Sequence, residues 1–395
     1  MVYPERFSDL PEHAWPRLRS LLDVHEPGGD PILMTIGEPR HAFPEWLADE
    51  LARHVADFAK YPPNPGSDDL LDAIVEWIAG RYGVTLTPDC VMALNGTREG
   101  LYNAAMALSP ERKNGQVPVI LTPNPFYSVY GVAAKSVGAE AVYVNATAET
   151  GHLPDYAALS PEILDRTTIA YICSPANPQG AVADMAYWTA LLALAEKHDF
   201  YVFADECYSE IWRTAPPVGV LEAVRETGTD PERVLTFHSL SKRSNLPGLR
   251  SGFVAGGPKA IAEVRQLRAY AGAPLPLPLQ KVSARVWRDE VHVDESRAIY
   301  HEKFRLADRL FEGVPGFSGP EGGFFLWLPV ENGEAAALKL WRETGVKVLP
   351  GAYLARDTAD GNPGERYIRA AMVAPTQDLQ AGLERLRTCL YDERG

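Results

Sequence analysis

The sequence predicts an α/β protein: a large, mainly parallel sheet flanked by helices, completed by a smaller α+β unit. Three observations carry that reading. From about residue 65 to 260, short apolar runs alternate with helix-length segments. Most of those runs are too continuously apolar to have one face in water, as in strands covered by helices on both sides. After about residue 280 the alternation stops and long helical stretches take over. Repeated strand–helix order implies parallel strands joined by right-handed crossovers.

In chain order the strand candidates are Val91–Leu94, Val119–Leu121, Ala141–Val144, Ile169–Cys173, Tyr201–Ala204, Val234–Phe237 and Gly252–Ala255. Between them Ser67–Tyr82, Arg98–Leu108 and Ala183–His198 carry the three- and four-residue apolar spacing of helices. The proline run Ala273–Pro278 is short and apolar, an ordered connection rather than a flexible linker. Beyond it come helices at Gln280–Arg288 and His292–Leu310, strands at Gly323–Leu328 and Val346–Leu349, a helix between them at Glu334–Thr344, and a last helix at Thr376–Tyr391. The expected division is a large α/β domain over residues 35–285 and a smaller α+β domain made of 1–34 plus 286–395.

Composition narrows the function. The 395 residues are 46% apolar and 23% charged, ordinary for a globular chain, with a formal net charge of −14. That balance argues against nonspecific nucleic-acid binding, which depends on cations against phosphates, and against an anionic membrane surface. Four cysteines, at 90, 173, 207 and 389, form no C-x-x-C pair. With no paired histidine motif either, neither a disulfide scaffold nor a metal site has support. Met1 to His13 carries acids and prolines rather than a signal peptide, and no apolar run reaches the roughly 18–20 residues that span a bilayer. A soluble cytoplasmic protein is the expectation.

Open α/β sheets bind ligands beyond the carboxyl ends of their strands. Val91–Leu94 is followed by Asn95-Gly96-Thr97-Arg98, a helix start suited to an anion. Ile169–Cys173 is followed by Ser174-Pro175-Ala176-Asn177, Tyr201–Ala204 by Asp205-Glu206-Cys207-Tyr208, and Val234–Phe237 by Ser239-Leu240-Ser241-Lys242 and, further on, Arg250. Each alone reads as a turn, a cap or a surface charge. Together they supply an anion cradle, a partner for a pyridinium, partners for a ring hydroxyl, and an amine for a Schiff base. Those are the groups that hold pyridoxal 5'-phosphate.

The spacing of Asn177, Asp205, Tyr208, Lys242 and Arg250 resembles the fold-type I, class I/II aminotransferases, from Ile36-Gly37-Glu38-Pro39 to Arg369. Longer blocks, Asn124–Tyr130, Asp205–Ile211, Ser239–Gly252 and Val348–Arg356, are similar to the N-succinyldiaminopimelate aminotransferases. The resemblance implies a Schiff-base role for Lys242, which would also carry the proton between Cα and C4′. A tethered amine of this kind is worth up to roughly 7–11 kcal/mol over a bimolecular transfer. It implies Asp205 as partner of the pyridine nitrogen, with Tyr208 and Asn177 on O3′. Phosphate ligands would be Ser239, Ser241, Arg250 and the Gly96–Thr97 amides, with Arg98 beside them. Tyr127 would stack on the ring, with Phe126 and Tyr130 as adjacent competitors. Tyr61 would reach the phosphate from a neighbouring subunit, making the enzyme a homodimer with shared sites. Arg369 would grip the substrate α-carboxylate beside the Gly37 backbone.

The function so implied is a ping-pong aminotransferase using glutamate and 2-oxoglutarate, acting on N-succinyl-LL-2,6-diaminopimelate in lysine biosynthesis. Arg98 and Arg243 are candidates for the distal carboxylates of that substrate. An aspartate, aromatic or acetylornithine aminotransferase, a carbon–sulfur lyase, and a noncatalytic regulatory module stand as alternatives. Gln179 replaces the family's usual threonine, and Gly100 stands inside a helix at a cost of roughly 1 kcal/mol relative to alanine. Polyanionic substrates also require a local basic island, centred on Arg250 and Arg369, within the acidic shell.

Overall fold

The computed structural model describes residues 5–8, 10 and 12–392. The other residues that the sequence assigns to the smaller unit, 1–4, 9, 11 and 393–395, lie outside the described residues. In chain order the strands are β1 (Ile32–Leu33), β2 (Val91–Leu94), β3 (Val119–Asn124), β4 (Glu140–Asn145), β5 (Thr167–Cys173), β6 (Tyr201–Asp205), β7 (Val234–Ser239), β8 (Gly252–Gly256), β9 (Phe325–Pro329), β10 (Val346–Lys347), β11 (Leu349–Pro350) and β12 (Tyr367–Ala371).

Seven of them form one sheet in the order β2-β8-β7-β6-β5-β3-β4. Six run the same way, and β8 lies antiparallel to both β2 and β7. The two-residue period of a strand explains the continuous apolar runs. On β5, Ile169 and Tyr171 join a core with Leu101, Tyr130 and Ile261, while Ala170 and Ile172 join one with Ile74, Trp188 and Trp287. Both faces are therefore dry. Only the edge strand β4 is half-exposed along its length.

The smaller sheets are β11-β12-β9, antiparallel, and β1-β10, parallel. They share a core with the helices Val291–Phe311, Gly333–Thr344 and Thr376–Leu390. The single strand expected over Val346–Leu349 is two, because Val346 pairs with Ile32 on one side and Leu349 with Arg369 on the other. Helices at Leu47–His54, Val129–Ser136, Val220–Thr227 and Pro258–Ala271 join those that periodicity located. No helix of the described residues is long and apolar enough to cross a membrane.

Gly100 has a packing reason. A Cβ there would lie 2.4 Å from Leu94 Cδ1, so the helix Thr97–Leu108 could not sit this close to β2 with alanine. The start of the same helix is held by Glu99. Its carboxylate accepts Arg268 Nε at 2.9 and 3.1 Å, the Asn95 amide at 2.8 Å and Asn103 Nδ2 at 2.8 Å. Arg268 is wholly buried, whereas the Glu99 side chain keeps 25% exposure. Arg268→Leu should therefore cost about 3 kcal/mol, the lower end for breaking a buried pair. Urea unfolding should show an earlier midpoint; an unmoved midpoint would refute the anchoring role.

Candidate active site

Strand pairing decides which side chains meet. Cys173 pairs with Asp205, and Gly252 pairs with both Leu94 and Ser239, so the ends of β2, β5, β6 and β7 and the start of β8 lie along one edge. They open onto a cavity of about 630 Å³. Gly37, Thr97, Arg98, Tyr127, Asn177, Asp205, Tyr208, Ser239, Ser241, Lys242, Arg250 and Arg369 all line it. Gly96 sits directly against Arg250. Tyr61 is not brought in: it is fully exposed and outside the lining.

One corner is built to receive an anion. Gly96, at φ 81°, precedes the helix Thr97–Leu108, and a Cβ on it would lie 2.2 Å from Arg250 Nη2. Only glycine permits that approach and that φ together. Arg250 is itself left-handed, at φ 57°, with Nη1 donating to Pro247 O at 3.0 Å and Nη2 to Asn95 O at 3.2 Å. Ser239 Oγ accepts the Ser241 N–H at 3.1 Å, which turns the chain from β7 into the short helix Leu240–Arg243 and aims Lys242 at the cavity.

Asp205 ends β6 with its carboxyl buried. Tyr130 OH donates to Oδ2 at 2.8 Å and the Cys207 N–H reaches Oδ1 at 3.4 Å. Burial pushes the acid above its ordinary range, while the hydrogen bonds from Cys207 and Tyr130 and the Lys242 charge pull back. Lys242 Nζ donates to the Gly37 carbonyl and sits 5.5 Å from the Phe324 ring centroid. Burial pulls that amine down to about 8; Cys207 and Glu38 oppose the shift, and the cations Arg369 and Arg250 add to it.

Arg369, on β12, is buried over the Phe325 ring at 4.1 Å. Nη2 donates to Thr35 O at 2.7 Å and Nη1 to Asn177 Oδ1 at 3.0 Å, which leaves Nε buried without a partner. Burial lowers it to about 10, so it stays a cation at neutral pH. The Tyr208 ring is met edge-on by Phe324 and Phe325, and burial raises its phenol well above the ordinary value. Such a site can hold a flat ring with an anionic tail, present an amine to a carbonyl, and grip a carboxylate.

Several features escaped the sequence. Tyr130, read only as a rival for ring stacking, stacks on Tyr171 at 4.5 Å and donates to Asp205; the lining carries Phe126 and Tyr127 instead. Arg98 Nε is held by Tyr127 OH at 2.6 Å. The suggestion that Arg243 meets a distal carboxylate is corrected. Arg243 is buried away from the cavity, paired with Glu290, donating to the carbonyls of Val286 and Trp287, and packed on the rings of Trp77 and Trp287. One helical step past Lys242 turns its side chain into the core. Arg356, which lines the cavity, had no signal beyond its place in a longer block.

Residues 29–386 match the family described as aminotransferase class I and II. An LL-diaminopimelate aminotransferase of Dehalococcoides mccartyi is 32% identical over 403 residues, covering 98% of each chain. Among solved structures, an aminotransferase from Neisseria meningitidis superposes with a TM-score of 0.92 at 35% identity, covering 97% of this chain and 98% of that one. A probable N-succinyldiaminopimelate aminotransferase from Thermus thermophilus gives 0.81 at 25% identity, covering 95% and 98%.

The lowered Lys242 value has a direct consequence in cofactor-free protein. Its reductive methylation should be half-maximal near pH 8, against about 10.4 for an unperturbed lysine. Peptide mapping after labelling across pH 6–11 reads this, and labelling of Lys242 only above pH 10 would contradict the electrostatics described.

Proposed function

The chain belongs to the class I and II aminotransferases, which are pyridoxal 5'-phosphate enzymes, and from that premise we propose that it moves an amino group between N-succinyl-LL-2,6-diaminopimelate and 2-oxoglutarate by a ping-pong mechanism, in the diaminopimelate branch of lysine synthesis. The observation that carries the amino-transfer reading is the convergence of Lys242, Asp205, Arg250 and Arg369 on one 630 Å³ cavity, and the likeness to the probable N-succinyldiaminopimelate aminotransferase of Thermus thermophilus supports the substrate.

The residues present fit the cofactor and a substrate. The absence of a side chain on Gly96 lets the Arg250 guanidinium lie against the helix start, so that a cation and backbone N–H groups meet at one corner, and the Arg369 Nε is a buried donor waiting for an acceptor. Asp205 is an acid taken out of water with hydrogen-bond donors but no ion pair to a lysine or arginine among the described residues, which suits a protonated heterocycle. When bound, pyridoxal phosphate supplies a ring that accepts the electrons of the broken Cα–H bond.

Each residue then has a task. Lys242 would hold the cofactor covalently and, once displaced, carry the proton between the substrate Cα and C4′. A value near 8 leaves part of the amine as free base close to neutral pH, matching a group that must both take and return a proton. Asp205 would keep the pyridine nitrogen protonated; a two-unit shift there is worth about 2.7 kcal/mol. Asn177, its oxygen occupied by Arg369, keeps its amide N–H for O3′ beside the Tyr208 phenol. Tyr127, braced by Arg98, would face the ring. Arg250, Ser239, Ser241 and the Gly96–Thr97 amides would hold the phosphate, and Arg369 with the Gly37 backbone the α-carboxylate.

The proposal extends to assembly. The exposed Tyr61 would complete the phosphate site of a second copy, giving a homodimer with shared active sites. Residues 35–285 would form the cofactor domain, with 1–34 and 286–395 the smaller one. A second reading, LL-diaminopimelate itself as donor, is favoured by the 32% identity to the Dehalococcoides mccartyi protein.

Lys242→Ala should abolish the visible absorbance band and the borohydride-trappable adduct, and slow the amino-acid half-reaction by about 10²–10⁴-fold; an adduct still mapping to that peptide would sink the assignment. With 2-oxoglutarate as acceptor, N-succinyl-LL-diaminopimelate should show higher kcat/KM than LL-diaminopimelate, aspartate, acetylornithine or phenylalanine. A lead for LL-diaminopimelate would select the second reading. A lead for any of the other three would reject both.

A further inference from the structure

Five cations line the cavity: Arg98, Lys242, Arg250, Arg356 and Arg369. Four have hydrogen-bond partners at their charged ends, with Tyr127 OH, Gly37 O, Pro247 and Asn95 O, and Thr35 O and Asn177 respectively. The half-buried Arg356 differs. Its guanidinium has no hydrogen bond or ion pair among the described residues, and lies 5.3 Å over the Phe126 ring.

The charge is free, but its mounting is rigid. Asn124, fully buried at the end of β3, donates Nδ2 to the Arg356 carbonyl at 2.8 Å and accepts the Arg356 N–H at 2.8 Å. The Phe126 N–H donates to Leu354 O at 3.0 Å. The chain at 354–356 is thus fastened to the edge of the large sheet. A guanidinium on a fixed backbone, with its donors unspent, can present its planar fork to an incoming anion.

Its position also separates it from Arg369. Arg369 packs on Phe325, whereas Arg356 packs on Phe126, against a second chamber of about 440 Å³ that shares Leu10, Phe126, Ser128, Val132 and Arg356 with the main cavity. We propose that Arg356 is a specificity-determining residue that binds a carboxylate on the far arm of the substrate, with the second chamber taking the remainder of that arm. The substrate class is a long α-amino acid with a distal carboxylate. The inference rests on the aminotransferase reading above and deepens it.

The test uses the pyridoxal phosphate holoenzyme, titrated by its absorbance change with heptanedioate and with heptanoate, acids that differ in the second carboxylate alone. Wild type should bind heptanedioate more tightly. The ratio of the two affinities should fall about tenfold or more in Arg356→Met, the scale of a lost charged hydrogen bond, and recover in part in Arg356→Lys. A ratio unchanged in Arg356→Met, equal affinities in wild type, or a parallel weakening of both acids would each overturn the assignment and leave the residue as packing for Phe126. The titration needs no turnover, so it fails separately from the function: absence of amino transfer from any donor to 2-oxoglutarate would reject the aminotransferase reading while the affinity ratio still judged Arg356.

Discussion

Asp205 closes the central strand of the seven with its carboxyl buried, and burial by itself drives such an acid toward the neutral form. An ionised carboxylate at that depth is tolerated only if a cation and hydrogen bonds offset its lost hydration. The protein supplies the hydrogen bonds, from the Tyr130 phenol and the Cys207 amide, and places Lys242 near enough to exert a charge effect. The protonated pyridine proposed above would add a flat cation at that carboxylate. The neighbouring strand ends bring the other proposed ligands to the same place. β5 alongside brings Asn177 to the same edge, β7 delivers Lys242, and the reversed β8 delivers Arg250.

The reversal of β8 matters for this arrangement. A seventh parallel strand would have carried Arg250 to the far end of the sheet, away from Gly96 and Ser239. Running antiparallel, β8 starts where its neighbours finish, so the loop that follows Lys242 returns directly to the anion corner. The −14 of the whole chain coexists with a cavity whose lining carries five lysine and arginine side chains against the three acids Glu12, Glu38 and Asp205, a local excess of positive charge suited to anionic ligands.

Much of this was legible in the amino-acid order because buried parallel strands leave unbroken apolar runs, and their carboxyl ends name the site. Asn177, Asp205, Ser239 and Lys242 stand within a few residues of such ends. What stayed hidden depends on distance across the fold. Nothing local marks Tyr130 as the donor to Asp205, because the pair is set by a helix packing on the sheet. Arg243 looks as available in the sequence as its neighbour Lys242, and only helical rotation separates a core residue from one at the cavity. Val346–Leu349 reads as one strand, since apolar pattern cannot say that its halves have different partners. The helix-internal Gly100 is unfavourable by local propensity, and its reason, the Leu94 side chain against it, lies on another element.

The whole arrangement turns on the state of Asp205 once the cofactor is in place. The most direct measurement is the ¹⁵N chemical shift of ring-labelled pyridoxal 5'-phosphate bound to wild-type protein and to Asp205→Asn. A protonated pyridine nitrogen is predicted in wild type at neutral pH and an unprotonated one in the variant. An unprotonated nitrogen in wild type, or the same protonated state in both proteins, would contradict the role given to Asp205.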